Sequence, residues 1–151
     1  VSDGSVSAGI ATDLGFPSAI ARHRLRGCSL VIIEANHDPV MLQKCDRPWH
    51  VKQRIASRHG HLSNSDAAML VADIVPDGTK CVVLAHISEK MNSTGRKLMH
   101  ANEPDLAVKT VKDELAARGL DHIEIMAASR VKPTPVIEVR ADGVFLNDSL
   151  T

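Results

Sequence analysis

Leu30-Val31-Ile32-Ile33-Glu34-Ala35-Asn36-His37-Asp38 is the stretch from which the fold is read. Four apolar residues, ending on paired isoleucines, run without a polar break. A continuous apolar run of this length predicts a strand covered on both faces, the usual state of a sheet between other layers. The run stops at a polar cluster, Glu34, Asn36, His37 and Asp38, placed where the strand leaves the sheet. Loops at strand ends often carry binding and catalytic groups. The rest of the chain is therefore read for what could stand beside Glu34 and His37.

Outward from this strand, residues 7–12 predict a short strand that delivers Asp13 ahead of a Leu14-Gly15 turn. Pro17 suits the first turn of a helix whose apolar face is Ala19, Ile20 and Leu25, closed by Gly27. Asp38 predicts an N-cap and Pro39 the first position of a helix to about Lys44. Pro48 opens another, to about Arg58, in which Trp49, Val51 and Ile55 are only partly at helical spacing. Ser63 or Asn64 caps a helix over 65–75, and Pro76-Asp77-Gly78 is a turn. Residues 80–84 repeat the opening pattern, an apolar strand that runs into His86 and Ser88. Residues 91–101 read as loop, 103–118 as the clearest helix with Gly119 as its stop, and 122–127 as a strand. Pro133 and Pro135 precede a final strand, Val136–Arg140, and Gly143 begins a short tail. Strands alternating with helices predict an α/β layered architecture.

Composition bounds the function. A chain of 151 residues, 44% hydrophobic and 24% charged, reads as one globular domain. Eighteen basic and eighteen acidic residues cancel, so no global field recruits nucleic acid or a membrane surface. Three cysteines without paired spacing indicate neither a disulfide framework nor a zinc knuckle. No apolar run approaches the roughly 18 residues of a membrane span, and no signal peptide opens the chain. A cytoplasmic protein is expected. The eight histidines are the anomaly.

Three strands end in ionisable groups: Asp13, then Glu34 to Asp38, then His86. His61 comes from a loop between helices. If the strands lie side by side and point the same way, these groups meet at one rim. Carboxylate oxygen with imidazole nitrogen suits Zn, Mn or Fe, and a carboxylate beside an imidazole also suits proton transfer. Taken one at a time, the same residues fit plainer roles: Asp13 in a turn, Asn36 and Asp38 as turn and cap, a strand-end His in an ordinary hydrogen bond. His59-Gly60-His61 has the His-x-His form, but no third ligand follows in register.

Thr12-Asp13-Leu14-Gly15, Glu34-Ala35-Asn36-His37-Asp38, Gly60-His61-Leu62-Ser63-Asn64 and Leu84-Ala85-His86-Ile87-Ser88 occur in that order. Together they closely resemble the C-terminal half of the metallo-β-lactamase-fold hydrolases, in particular the YycJ (WalJ) branch, which is associated with DNA exonuclease activity. Pro48-Trp49 followed by Lys52-Gln53-Arg54 fits the same branch, with His50 departing from it. The resemblance implies that Asp13 bridges two metals and His86 ligates one of them. It implies that Glu34 and His61 form a proton-transfer dyad. Ser63 and Asn64 then flank that histidine, orienting it or touching phosphate, and Asn36 and His37 support the site from the substrate side or from behind.

The family's first half carries His-x-His-x-Asp-His and one further histidine ligand, and none of the eight histidines here forms that motif. The expectation is a partial domain over residues 1–151. It would be half of an αββα sandwich, one mixed sheet with helices on one face, with the metal-binding N-terminal half absent. The resemblance implies part of a metal-dependent phosphodiesterase or exonuclease that, when complete, uses two divalent ions (Zn or Mn) and takes DNA, or RNA, as substrate. The shared fold equally admits a hydrolase of a small ester, thioester or cyclic phosphodiester, and the missing ligands admit an inert fragment. Two ligands fall short of the three that a catalytic zinc normally keeps, so the chain alone is expected to be inactive. The sheet face toward the absent half is expected to be uncovered and to drive homo-oligomerisation.

Overall fold

The computed structural model describes residues 2, 4–92, 106–129 and 133–147. In chain order its elements are β1 (Ala8–Ala11), α1 (Ala19–Leu25), β2 (Leu30–Glu34), α2 (Pro39–Lys44), α3 (Trp49–Ile55) and α4 (Asn64–Ile74). They continue with β3 (Cys81–Ala85), α5 (Leu106–Ala117), β4 (Glu124–Ala127), β5 (Val136–Arg140) and β6 (Gly143–Asn147). The α/β architecture expected from the alternation is the one observed.

β1 to β4 form a parallel sheet in sequential order, with Ile33 facing Ala11 on one side and Leu84 on the other. Parallel neighbours need crossover connections, which are right-handed almost without exception. A sequential order with one handedness puts the crossover helices on one face. The core lies there: Val31, Ile33, Val82, Leu84 and Ile125 pack against Leu70, Val71 and Ile74 of α4 and Val111 and Leu115 of α5. Because side chains alternate along a strand, Leu30, Cys81 and Val83 face the opposite way.

That second face differs from expectation. The strands do not make one mixed sheet, since β5 and β6 pair antiparallel in a separate two-stranded sheet. Residues after Gly143, read as a tail, are its second strand. Ile137, Val139 and Val144 of this hairpin pack on Leu30, Cys81 and Val83, which are 8%, 0% and 3% exposed. The face is therefore covered over its middle strands, and Ile10 of β1 remains open at 68%. β5 is the strand expected over Val136–Arg140, whereas β6 carries little sequence signal, because a five-residue strand with Phe145 and Leu146 half in solvent has little period-2 contrast.

The caps follow the sequence. Ser63 Oγ accepts the Asp66 N–H and Asp38 Oδ1 the Met41 N–H, with Pro39 opening α2. α1 is capped by Ser18 and buries only Leu25, Ile20 being 75% exposed. α3 stops three residues before Arg58, at Ile55. Of the 91–101 loop, only Met91 and Asn92 are described; of the 103–118 helix, residues 103–105 lie outside the described residues. Among the described residues no helix is long and apolar enough to cross a membrane.

Candidate metal centre

Glu34 ends β2 with 0% of its surface exposed, and its two oxygens have different surroundings. Oε2 accepts the backbone N–H groups of Leu14 (3.0 Å) and Leu62 (3.2 Å). Oε1 lies 2.8 Å from Nδ1 of both His61 and His86. Asp13 Oδ1 stands 3.5 Å from the same two nitrogens. The two rings meet edge to face, centroids 4.7 Å apart. One ligand atom from each of Asp13, Glu34, His61 and His86 falls within 4.8 Å of the others.

Short distances here are not hydrogen bonds. Glu34 Oε1 and His61 Nδ1 are both buried, and neither has a hydrogen-bond partner of acceptable geometry. A buried carboxylate oxygen left unpaired is expensive. A cation among the four groups would satisfy oxygen and ring nitrogens together, and two carboxylates with two imidazoles are a donor set for Zn, Mn or Fe. The residues present therefore fit a divalent metal. The resemblance alone assigned two ligands to this chain, whereas the fold gathers four groups that could hold an ion.

Backbone geometry explains how they converge. Asp13 (φ 57°) and His86 (φ 53°) are the two non-glycine residues with positive φ among the described residues. Left-handed backbone at such residues is uncommon and clusters at functional sites. His61 is set by a chain reversal: its N–H donates to Ile55 O (2.9 Å), and the Gly60 N–H to Ser57 O (2.9 Å). A β-carbon at Gly60 would collide with the carbonyls of Ile55 and Arg54, and one at Gly15 with the backbone of Ser57 and Arg58. Both glycines permit a close approach that any side chain would block.

Asn36, His37, Ser63 and Asn64 lie behind this cluster. Asn36 Nδ2 donates to the His86 carbonyl (2.7 Å) and its N–H to Leu62 O (2.9 Å), clipping both histidine loops to the end of β2. Asn92, which the sequence did not single out, donates from Nδ2 to Asn36 O and Ser88 O, each at 2.9 Å. Asn64 Nδ2 in turn donates to Asn92 Oδ1 at 2.6 Å. Ser63 is spent on its cap. His37 is 3% exposed with Nδ1 unpartnered; burial first, then the charge of His61, holds its pKa below the ordinary imidazole value. Of these four, Asn36 reaches the open cleft of about 390 Å³ beside the cluster, which Asp13, His61, Arg47 and Arg54 also line. Arg47 too was not singled out. A larger cleft, about 730 Å³, lies by Gly78, Thr79 and His122, before β3 and β4, and holds none of the cluster.

A parallel sheet that gathers carboxylates and imidazoles at its carboxyl edge defines an α/β protein with a candidate metal site, placed where ligands of open α/β sheets bind. No family model matches the chain. Its sequence is 42% identical over 77 residues to the exodeoxyribonuclease YycJ of Bacillus anthracis, covering 51% of this chain and 29% of that one. It is 37% identical over 81 residues to the exodeoxyribonuclease WalJ of Streptococcus pneumoniae, in strains D39 and R6, covering 54% of this chain and 30% of the relative. The similarity to the YycJ/WalJ branch read from the sequence is thus found over about half of the chain, and the aligned part spans less than a third of those relatives.

Proposed function

We propose that this chain is the C-terminal part of a metal-dependent phosphodiesterase that degrades DNA from an end. The convergence of Asp13, Glu34, His61 and His86 within 4.8 Å at the carboxyl edge of the sheet carries the reading. The names of the relatives supply its substrate. In the complete enzyme Asp13 and His86 would hold divalent ions, a dinuclear centre drawing its remaining ligands from outside these four residues. When bound, such ions supply an activated water and offset charge on the attacked phosphate.

The rest falls to the chain. Glu34, fixed by two backbone donors, holds the Nδ1 edge of the His61 imidazole by charge, with Oε1 2.8 Å away. That leaves Nε2, across the ring, to give a proton to the departing oxygen of the DNA. Holding the acid in place through a buried carboxylate is how such pairs keep one tautomer and one direction. Asn36 keeps His86 and Leu62 at fixed height. The arginines of the cleft favour an anionic phosphodiester over a neutral ester or thioester.

The test is DNA hydrolysis by the intact protein with Mn or Zn. His61→Ala should lower kcat by about 10²–10⁴-fold, the usual worth of a positioned acid or base, with bound metal retained. Asp13→Ala and His86→Ala should lose metal as well as rate. An unchanged rate in His61→Ala overturns the dyad, and metal content unchanged by both ligand variants overturns the centre.

A further inference from the structure

α3 is an anomaly among the helices. None of its residues is buried, so packing against the core does not account for it. What it does face is the cleft. Arg47, just before its Pro48 N-cap, and Val51, Arg54 and Ile55 all line the cleft. Val51, Arg54 and Ile55, at i, i+3 and i+4, form one stripe of the helical surface, and Arg47 joins them from the turn before the N-cap. This stripe alternates cation and aliphatic where a core helix would be apolar throughout.

The two guanidinium groups are also free. Neither Arg47 nor Arg54 makes a hydrogen bond or ion pair through its side chain among the described residues. Two nearby cations are engaged: Lys52 donates to Gln43 O, and Arg58 lies 4.3 Å over the Phe16 ring. In a chain with no net charge, two unpaired arginines beside Asp13 and His61 concentrate positive charge at one place. Guanidinium groups match phosphate oxygens in fork geometry. The cleft's other wall is Met91, with Asn36 and Ser88 as polar points. No Phe, Tyr or Trp lines it, so a base would meet aliphatic carbon and the imidazoles of His59 and His61 rather than a broad stacking platform.

We propose that Arg47, just before α3, and Arg54, on its exposed stripe, clamp the phosphate of a single terminal nucleotide, whose sugar and base lie against Val51, Ile55 and Met91. The site takes a nucleoside monophosphate unit. Its volume of about 390 Å³ stands near the lower end of small-molecule sites and suits one nucleotide rather than a run of them. Without a Phe, Tyr or Trp platform, and with Asn36 and Ser88 as its neutral polar side chains, the cleft discriminates weakly between bases. The inference rests on the phosphodiesterase reading for its substrate class, and on α3 alone for its location.

Equilibrium titration of the chain with thymidine 5′-monophosphate and with thymidine, followed by the fluorescence of Trp49 at the start of α3, tests it. The monophosphate should bind at least about tenfold more tightly than the nucleoside. Arg47→Ala and Arg54→Ala should each remove most of that preference. Each should also weaken the salt dependence of monophosphate binding, because one screened charge contact is gone. Arg24→Ala, on α1, should change neither. Equal affinity for the two ligands, or a preference that survives the double arginine variant, overturns the clamp. Phosphate preference carried by both arginines, with no DNA cleavage by the complete enzyme under any metal, supports the clamp and overturns the nuclease reading.

Discussion

Glu34 shows what a single side chain contributes at this rim. One oxygen is a structural acceptor for Leu14 and Leu62, and the other faces two imidazole nitrogens without a hydrogen bond. Glu34→Gln separates the two functions. The amide oxygen can keep both backbone donors, while the amide nitrogen, turned toward His61 and His86, brings no negative charge to the dyad. Melting and bound metal should change little, and DNA hydrolysis should fall about 10²–10⁴-fold. Glu34→Ala strands both backbone N–H groups and should cost about 3–5 kcal/mol, the usual cost of breaking a buried polar pair. Urea titration, metal analysis and DNA hydrolysis by the two variants check this, and a Glu34→Gln variant with an unchanged rate refutes the division. Asp13, Glu34, His61 and His86 could be picked out from sequence because each stands beside an apolar run or a glycine turn. Asn92 could not. It sits in a polar run that reads as loop, and its bonds reach Asn64 and Asn36 across 28 and 56 residues.

Among the elements, those with local signals were legible and those defined by a neighbour were not. α2 and α4 announce themselves through Asp38-Pro39 and Ser63, since caps are made within four residues. α3 was read to about Arg58 but ends at Ile55, because residues 57–61 turn back and bond its last carbonyls. No propensity reports such a reversal; the one hint was Gly60. Gly60→Ala tests how much depends on it. The new β-carbon would meet the carbonyls of Arg54 and Ile55, backbone atoms that cannot rotate aside. Overpacking of this kind costs about 1–3 kcal/mol, and relief would come by lifting His61 off Glu34. Gly60→Ala should therefore lower stability modestly and the rate of DNA hydrolysis strongly. Gly27→Ala is the control: its φ of 73° strains any side chain, but nothing lies within 4 Å of the added carbon. It should lose stability alone.

At the scale of the whole molecule, the parallel sheet was expected to leave one apolar face bare, and the β5–β6 hairpin covers much of it. The sequence concealed this because neither hairpin strand is buried throughout; only the inward residues, Ile137, Val139 and Val144, touch the sheet. Cys81 reports on this cover. It has no exposed surface, and burial first, then the charge of Glu124, pushes its thiol up to about 11 from 9.0. A thiol reacts as its thiolate, so at pH 8 Cys81 should be labelled far more slowly than the half-buried Cys45. The sign for stability follows: the raised value favours the fold fully below pH 9, and the advantage is lost as pH rises toward 11. Val139→Asp places a carboxylate against Leu30, Cys81 and Val83, where it has no room to be solvated unless the hairpin lifts. The helix-side core does not involve Val139, so helical circular dichroism should persist while Cys81 labelling speeds up at least tenfold. Labelling that stays slow in that variant would mean that the sheet and its helices, rather than the hairpin, protect the thiol.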